Sequence, residues 1–203
     1  MNQFRLLTAL CALALCAVSC TDDGPEIPLG EFEKGVLIIN EGAFGANDGE
    51  VYHYDPVSGD IKNDIFESKN GRPFAGLIQD IVELEDRMYL VANTGKVELV
   101  DPKDFASLGA VDADLVNSRS LAVANQKLYI SDWGPYDPSF QNPDSYIAVV
   151  NGLNGGTVSE KIPVPSRPEG LIVAGNFLYV ACAAAKNFKL YHWPLMQSRV
   201  VRM

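Results

Sequence analysis

The sequence predicts an all-β protein in which four-stranded antiparallel sheets repeat along the chain. The first observation is a hairpin in Arg119–Gly134, where two apolar runs flank the polar reversal Asn125–Lys127. Near copies of this hairpin occupy Gln79–Gly95 and Glu169–Ala183. Three copies of one supersecondary unit indicate a repeat protein.

The second observation is the length of the repeat. The aligned tyrosines Tyr89, Tyr129 and Tyr179 are 40 and 50 residues apart. The residues that open a later turn of each unit are also 46 and 50 residues apart, and they are Asp55, Asp101 and Asn151. Two registers thus agree on a period typical of β-propeller blades. A β-sandwich gives no reason for such a repeat.

The first unit shows how the strands are assigned. Val36–Asn40 is a continuous apolar run typical of a buried strand, and Glu50–Tyr54 alternates like a half-exposed one. A turn opened by Asp55-Pro56 then leads to a third predicted strand, Ile61–Phe66. The unit is therefore strand, long loop, strand, turn, strand.

The later units repeat this order behind the recurring hairpin. In the second unit the predicted elements are Ile78–Asn93, Val97–Asp101 and Leu108–Val111. In the third unit they are Leu121–Asp132, Tyr146–Val150 and Val158–Ile162. The sequence thus predicts about three and a half blades, a partial ring, over residues 35–185.

The last residues, 186–203, form a divergent basic tail in which the repeat pattern fades. From Gly170 onward the chain has four basic residues and no acidic one. Because the repeat and the acidic balance are lost together, we expect the chain to be a truncated or frame-shifted product. The alternative is a half-ring that closes by assembly.

Residues 1–19 have the layout of an export signal, because Arg5 precedes an apolar run too short to span a bilayer. Ala17-Val18-Ser19-Cys20 resembles a bacterial lipobox, with Ala17 where leucine is preferred. This resemblance implies lipidation of Cys20, and a plain secretory signal is the alternative. Residues 20–34 are an acidic tether, and Thr21-Asp22-Asp23 resembles the signal that exports lipoproteins of Bacteroidetes to the cell surface.

The charge balance argues against a nucleic-acid partner. Between Cys20 and Glu169 the chain carries 26 acidic and 11 basic side chains. Such a surface repels phosphate backbones and anionic lipid. We therefore expect contact with a membrane only through the lipid anchor.

The candidate site collects polar and aromatic residues from the loops at one end of the sheets, here called the loop face. Strands alternate in direction, so the loops that lead into each first strand and those that follow each second strand emerge together. Gln79, Arg119 and Glu169 hold one repeat position with three different side chains, as suits ligand recognition. The candidate ligand-binding residues are Asn40, Glu41, Asn70, Gln79, Asn93, Arg119, Asp132, Trp133, Tyr136, Arg167 and Glu169.

Two structural alternatives apply to these residues. Arg119 and Arg167 are equally suited to holding loop carbonyls or neighbouring blades together. The insertion Gly134–Ser145 has two aromatic residues and three prolines, which favour a contact surface. Packing over its own blade is the other interpretation.

The sequence predicts no catalytic or metal site and no cofactor. With two histidines, His53 and His192, neither a Ser-His-Asp arrangement nor a histidine metal site can be assembled. Glu41, Asp48 and Glu50 could bind calcium, but Ala46-Asn47-Asp48-Gly49 does not have the spacing of an EF-hand and equally predicts a hairpin turn.

Four segments carry a family resemblance: Asn40-Glu41-Gly42, Asn70-Gly71, Tyr129–Trp133 and Arg167-Pro168-Glu169-Gly170. With them the chain resembles the YncE-like, YVTN-type propellers, and more closely the Bacteroidetes surface lipoproteins that carry a domain of unknown function. The resemblance implies a non-catalytic, lipid-anchored outer-membrane protein. Some relatives capture cobalamin and pass it to a TonB-dependent transporter, which makes that vitamin and that transporter the expected partners. The alternatives are a protein- or glycan-binding adhesion module and a propeller lyase or lactonase.

Overall fold

A computed structural model describes residues 29–74, 76–84, 86–184 and 187–195 of the chain. These residues form four consecutive antiparallel sheets and one short helix. The predicted signal peptide, the lipidation site Cys20, residues 21–28 of the tether and residues 186 and 196–203 of the tail lie outside the described residues. The structure is all-β, and its four sheets correspond to propeller blades, as the sequence predicted.

Each sheet is a meander in which consecutive strands pair. The first sheet contains β1 (Val36–Asn40), β2 (Glu50–Tyr54) and β3 (Ile61–Lys62), and helix α1 (Ile65–Asn70) follows it. The second contains β4 (Ile78–Leu84), β5 (Arg87–Ala92), β6 (Lys96–Val100) and β7 (Ser107–Val111). The third contains β8 (Ser118–Ala124), β9 (Lys127–Asp132), β10 (Tyr146–Asn151) and β11 (Val158–Pro163). The fourth contains β12 (Pro168–Ala174), β13 (Phe177–Ala184) and β14 (Asn187–Pro194).

Three hydrophobic clusters lie between successive sheets. Phe66, Phe74 and Leu90 belong to the cluster between the first and second sheets. Tyr89 faces the other way, toward Ile130 of the third sheet. Because the middle strands are covered on both faces, they read as nearly continuous apolar runs instead of alternating ones. Blade-on-blade burial is therefore the main stabilising contact of this fold.

The predicted strand Ile61–Phe66 is wrong beyond Lys62, because α1 begins at Ile65. The side chain of Asp64 accepts a hydrogen bond from the Glu67 amide at 3.2 Å and caps the helix, and Gly71 ends it in the left-handed conformation. Ile65 and Phe66 are buried against the second sheet. An apolar pair beside an aspartate suits either structure in sequence, and packing favours the helix here.

The repeat extends past the predicted boundary at Ala185. Strand β14 pairs with β13 from Ala184↔Asn187 to Phe177↔Pro194 and adds a third strand to the fourth sheet. Tyr191 and Trp193 pack against the core shared with the third sheet. The loss of acidic residues after Gly170 made this strand look like a departure from the repeat. Net charge, however, does not determine which residues pair in a sheet.

Candidate functional site

The loop face is fixed by one backbone hydrogen bond that recurs in three sheets. It joins a residue at or just after the end of the second strand to the residue just before the first strand. The pairs are Asn93 N–Leu77 O at 3.0 Å, Trp133 N–Asn117 O at 3.0 Å and Ala183 N–Arg167 O at 2.8 Å. The two sets of loops therefore lie side by side at one end of the blades.

A β-bulge begins the first strand of each of these three sheets. In the second sheet Ile78 pairs with Ala92 and Asp80 pairs with Val91, so Gln79 has no partner opposite it. The same register shift leaves Arg119 and Glu169 unpaired in the third and fourth sheets. A bulge releases a side chain from the strand's alternation and re-aims it. The three residues that share one repeat position are thus the three bulge residues, a feature that the sequence analysis did not identify.

The bulge side chains connect neighbouring sheets across the loop face. The Gln79 amide donates to the carboxylate of Glu41, which follows β1 of the first sheet. The Nε atom of Arg119 donates to Glu169 Oε2 at 3.2 Å, which links the third sheet to the fourth. Four of the predicted site residues are therefore brought together as two inter-sheet pairs.

Two guanidinium groups lie over the ring of Trp133. The guanidinium carbon of Arg119 is 4.5 Å from the centre of the Trp133 ring, and that of Arg167 is 5.2 Å from it. Both distances are within the range of a cation–π interaction. The indole Nε1 atom is buried and has no hydrogen-bond partner among the described residues. We call Arg119, Trp133 and Arg167 the tryptophan clamp.

Arg167 also holds the insertion Gly134–Ser145, here called the aromatic loop. Its Nε atom donates to Asn142 Oδ1 at 3.1 Å and its Nη2 atom to the Phe140 carbonyl at 2.9 Å. Its backbone has a φ of 60°, which is unusual for a residue other than glycine. These bonds support the expectation that Arg167 holds loop carbonyls. They leave Phe140 76% and Tyr136 49% exposed on the loop face.

Asp132 does not face solvent, which corrects its assignment as a ligand-contacting residue. It is fully buried, and its carboxylate accepts bonds from the amides of Val116 and Asn117 at 2.9 and 3.0 Å. The Ser118 hydroxyl and the Gly134 amide donate to it as well, at 2.9 and 2.7 Å. Asp132 thus anchors the loops that carry the site. Burial, and then the nearby Asp132 carboxylate, raise the pKa of Tyr146 far above its ordinary value.

Asn70 is the other correction, because it lies away from the loop face. Its amide nitrogen donates to the carbonyls of Phe66 and Phe105, both at 2.9 Å, and its oxygen accepts from the Ser107 amide at 2.8 Å. Those partners place it at the turn between β6 and β7, at the opposite end of the second sheet. Asn70 is the last residue of α1, and Gly71 after it is the C-terminal cap.

Asn40 and Asn93 lie on the loop face but outside the clamp. Asn40 is exposed, and its side chain accepts a bond from the Gly42 amide at 3.2 Å. Asn93 is half-buried beside the start of the second sheet. Both belong to the rim of the loop face.

The three carboxylates proposed as a calcium alternative have separate partners. Asp48 Oδ1 accepts from the Ala43 amide at 2.7 Å, Glu50 pairs with the Tyr52 hydroxyl, and Glu41 pairs with Gln79. Within the described residues, no group of three or more His, Cys, Asp or Glu side chains has metal-binding geometry. The turn that the sequence placed at Ala46–Gly49 begins three residues earlier, because the amides of Ala46 and Asn47 donate to the Ala43 carbonyl at 3.0 and 3.4 Å.

In the part of the chain that the structure covers, no helix has the length and apolar character needed to cross a bilayer.

Two designed proteins have the same fold: Ika4 (TM-score 0.54, 14% identity, covering 85% of this chain and 99% of that one) and Ika8 (TM-score 0.53, 13% identity, 83% and 49%). BamB from Moraxella catarrhalis aligns with a TM-score of 0.47 and 12% identity, over 83% of this chain and 49% of its own. The chain thus spans nearly all of Ika4 and about half of the other two proteins.

The sequence comparisons place the chain in a family without a known activity. No curated protein matches it. One family model matches residues 34–181. The match covers the first three sheets, β12 and most of β13. The chain therefore belongs to the family described as "Domain of unknown function (DUF5074)".

Proposed function

We propose that the protein is a non-catalytic ligand-binding module that captures its ligand on the loop face. The single observation that carries this proposal is the set of three bulges, which present Gln79, Arg119 and Glu169 from equivalent backbone positions. One scaffold position with three different polar groups is what recognition of an asymmetric ligand requires. The buried carboxylate of Asp132 holds this arrangement in place.

The proposal includes export and anchoring at the outer membrane. Lipidation of Cys20 would hold the module at the cell surface through the acidic tether, and the captured ligand would pass to a TonB-dependent transporter. Labelling of cells with radioactive palmitate tests the anchor. We expect label on the wild-type protein and none on a Cys20→Ser variant, and label that survives this substitution would contradict it.

Cobalamin is the specific ligand that the family resemblance suggests. Titration calorimetry of the mature protein with cyanocobalamin tests it. We expect saturable heat that Tyr136→Ala weakens, because Tyr136 is half exposed on the aromatic loop. Lys62→Gln is the matched control, since Lys62 pairs with Glu31 in another part of the fold. An absence of heat at concentrations far above a useful affinity would exclude cobalamin.

A protein- or glycan-binding module is the second candidate. Phe140 is 76% exposed and Phe44, in the loop after β1, is 94% exposed. Exposed aromatic side chains on loops at one end of a scaffold are favourable contact groups for macromolecules. Binding of a glycan array or surface protein that is lost in Phe44→Ser and Phe140→Ser, with cyanocobalamin binding absent, would favour this candidate.

A further inference from the structure

The tryptophan clamp has more hydrogen-bond donors than its neighbours use. Arg119 donates one hydrogen bond among the described residues, from its Nε atom to Glu169. Its two terminal nitrogens donate none to those residues. Arg167 uses Nε and Nη2 and keeps Nη1. The Trp133 Nε1 atom is buried and unpaired. The unused terminal nitrogens of the two arginines are donors, so a matching ligand must supply acceptors.

The clamp contains a guanidinium group without an ion-pair partner. Arg119 pairs with Glu169, whereas Arg167 pairs with no carboxylate among the described residues, and the chain as a whole has a formal net charge of −10. A basic group on the loop face of an acidic protein attracts an anion locally. The partial neutralisation by Glu169 matches a monoanion better than a dianion.

The clamp is also held in position before any ligand arrives. The Arg119 side chain is only 23% exposed and is fixed by Glu169 and by the Trp133 ring. Arg167 is fixed by two bonds to the aromatic loop. A guanidinium held in this way presents a planar fork that fits a carboxylate through two parallel hydrogen bonds.

We infer that the tryptophan clamp is a subsite for a planar monocarboxylate, with the Arg119 fork on the carboxylate and the exposed aromatic loop beside the remainder of the ligand. This inference rests on the proposed function and names the chemical class that the loop face takes at the boundary between the third and fourth sheets. A guanidinium fork is planar, so the group that it recognises through two parallel hydrogen bonds is planar as well. Glu169 is a positioning residue in this arrangement, because it holds Arg119.

The test uses benzoate as the probe and benzamide as its neutral isostere. The mature protein carries two tryptophans, Trp133 and Trp193, so a Trp193→Phe background isolates the emission of Trp133. We expect benzoate to change this emission with a dissociation constant of about a millimolar, the order expected for so small a ligand. Benzamide should bind at least about tenfold more weakly, because it lacks the charge that strengthens hydrogen bonds to arginine.

Two variants of Arg119 separate recognition from folding. Arg119→Gln should weaken benzoate binding by about tenfold or more, since it removes the charged fork. Arg119→Lys keeps the charge and loses the fork, so its affinity for benzoate should lie between that of the wild type and that of Arg119→Gln. Lys62→Gln removes one positive charge from another surface and should leave binding unchanged. Thermal unfolding of every variant checks that the fold is retained.

The outcomes distinguish this inference from the proposed function. Equal affinity for benzoate and benzamide, or tighter binding of inorganic phosphate than of benzoate, would overturn the monocarboxylate assignment. If benzoate does not bind while cyanocobalamin does so in a Tyr136-dependent way, capture on the loop face stands and the carboxylate subsite is wrong. If Arg119→Lys binds benzoate as well as the wild type does, the planar fork is not the recognition element.

Discussion

Arg119 and Glu169 are bulge residues of adjacent sheets, and they meet across the boundary between those sheets with an Nε–Oε2 distance of 3.2 Å. Gln79, the third bulge residue, makes the corresponding link from the second sheet to Glu41 of the first. The candidate recognition residues therefore also join blades. A ligand that contacts them acts on groups that are already part of the packing.

The first prediction concerns the strength of the Arg119–Glu169 pair. A double-mutant cycle with Arg119→Gln and Glu169→Gln should give a coupling of about 0.5–1 kcal/mol in the free energy of unfolding, because both side chains are partly shielded. The Lys62–Glu31 pair is the control, and its 49% and 52% exposure predicts a smaller coupling. Urea unfolding measures both cycles. Equal coupling in the two pairs would mean that burial does not strengthen the inter-sheet pair.

The second prediction concerns the anchoring carboxylate. Asp132→Asn should lower the free energy of unfolding by about 2–4 kcal/mol, because it weakens four hydrogen bonds at a fully buried site and turns an amide group toward donors. The matched control is Asp112→Asn, an exposed aspartate, which should change stability by less than about 0.5 kcal/mol. Similar urea midpoints for the two variants would contradict an anchoring role.

The third prediction uses two tyrosines at one repeat position. Tyr89 is fully buried and its hydroxyl donates to the Leu153 carbonyl at 3.0 Å, so Tyr89→Phe should cost about 1 kcal/mol. Tyr179 lies in the fourth sheet beside the rings of Phe177 and His192. Its hydroxyl makes no hydrogen bond to another residue in the described part of the chain. Tyr179→Phe should therefore be nearly neutral in thermal unfolding. A larger cost for Tyr179 would show that its face is covered in solution.

The fourth prediction concerns the Cys182 thiol. It is fully buried, and burial raises its pKa to about 11. Iodoacetamide at pH 8 should therefore modify Cys182 only after the chain unfolds, as peptide mass spectrometry would show. Rapid modification of the folded protein would contradict the burial.

The same thiol makes stability depend on pH. The folded pKa lies above the unfolded value of about 9, so the folded state binds the proton more tightly. The stabilisation is present below pH 9 and is lost as the pH rises toward 11, by at most about 2–3 kcal/mol. Cys182→Ala should abolish this part of the alkaline decline in urea unfolding. An unchanged pH profile would assign the decline to other groups.

Local sequence signals predicted the strands and their order well. The apolar runs around Tyr89, Tyr129 and Tyr179 recur at a spacing typical of propeller blades, and all three tyrosines lie on the second strand of a sheet. The wrong assignments fell where a short segment suits two structures. Ile65 and Phe66 fit a strand or a helix, and Asn70 fits a ligand-binding loop or a helix cap.

The candidate site was predictable in position and less so in role. Repeat alignment found Gln79, Arg119 and Glu169 because a shared place in a repeat is visible in sequence. That they are bulge residues depends on how each first strand pairs with the second, and a one-residue shift in register leaves no mark on local composition. The burial of Asp132 depends likewise on four donors from two separate loops.

The order of residues alone therefore established the all-β class, the blade period and the end of the blades at which the variable loops gather. It did so because alternation, apolar runs and turn residues are local properties of the chain. Which side chains meet on that end, such as the two guanidiniums beside Trp133, followed only from the packing of one sheet on the next. Contacts between residues dozens of positions apart depend on strand register and blade packing, and neither is a local property.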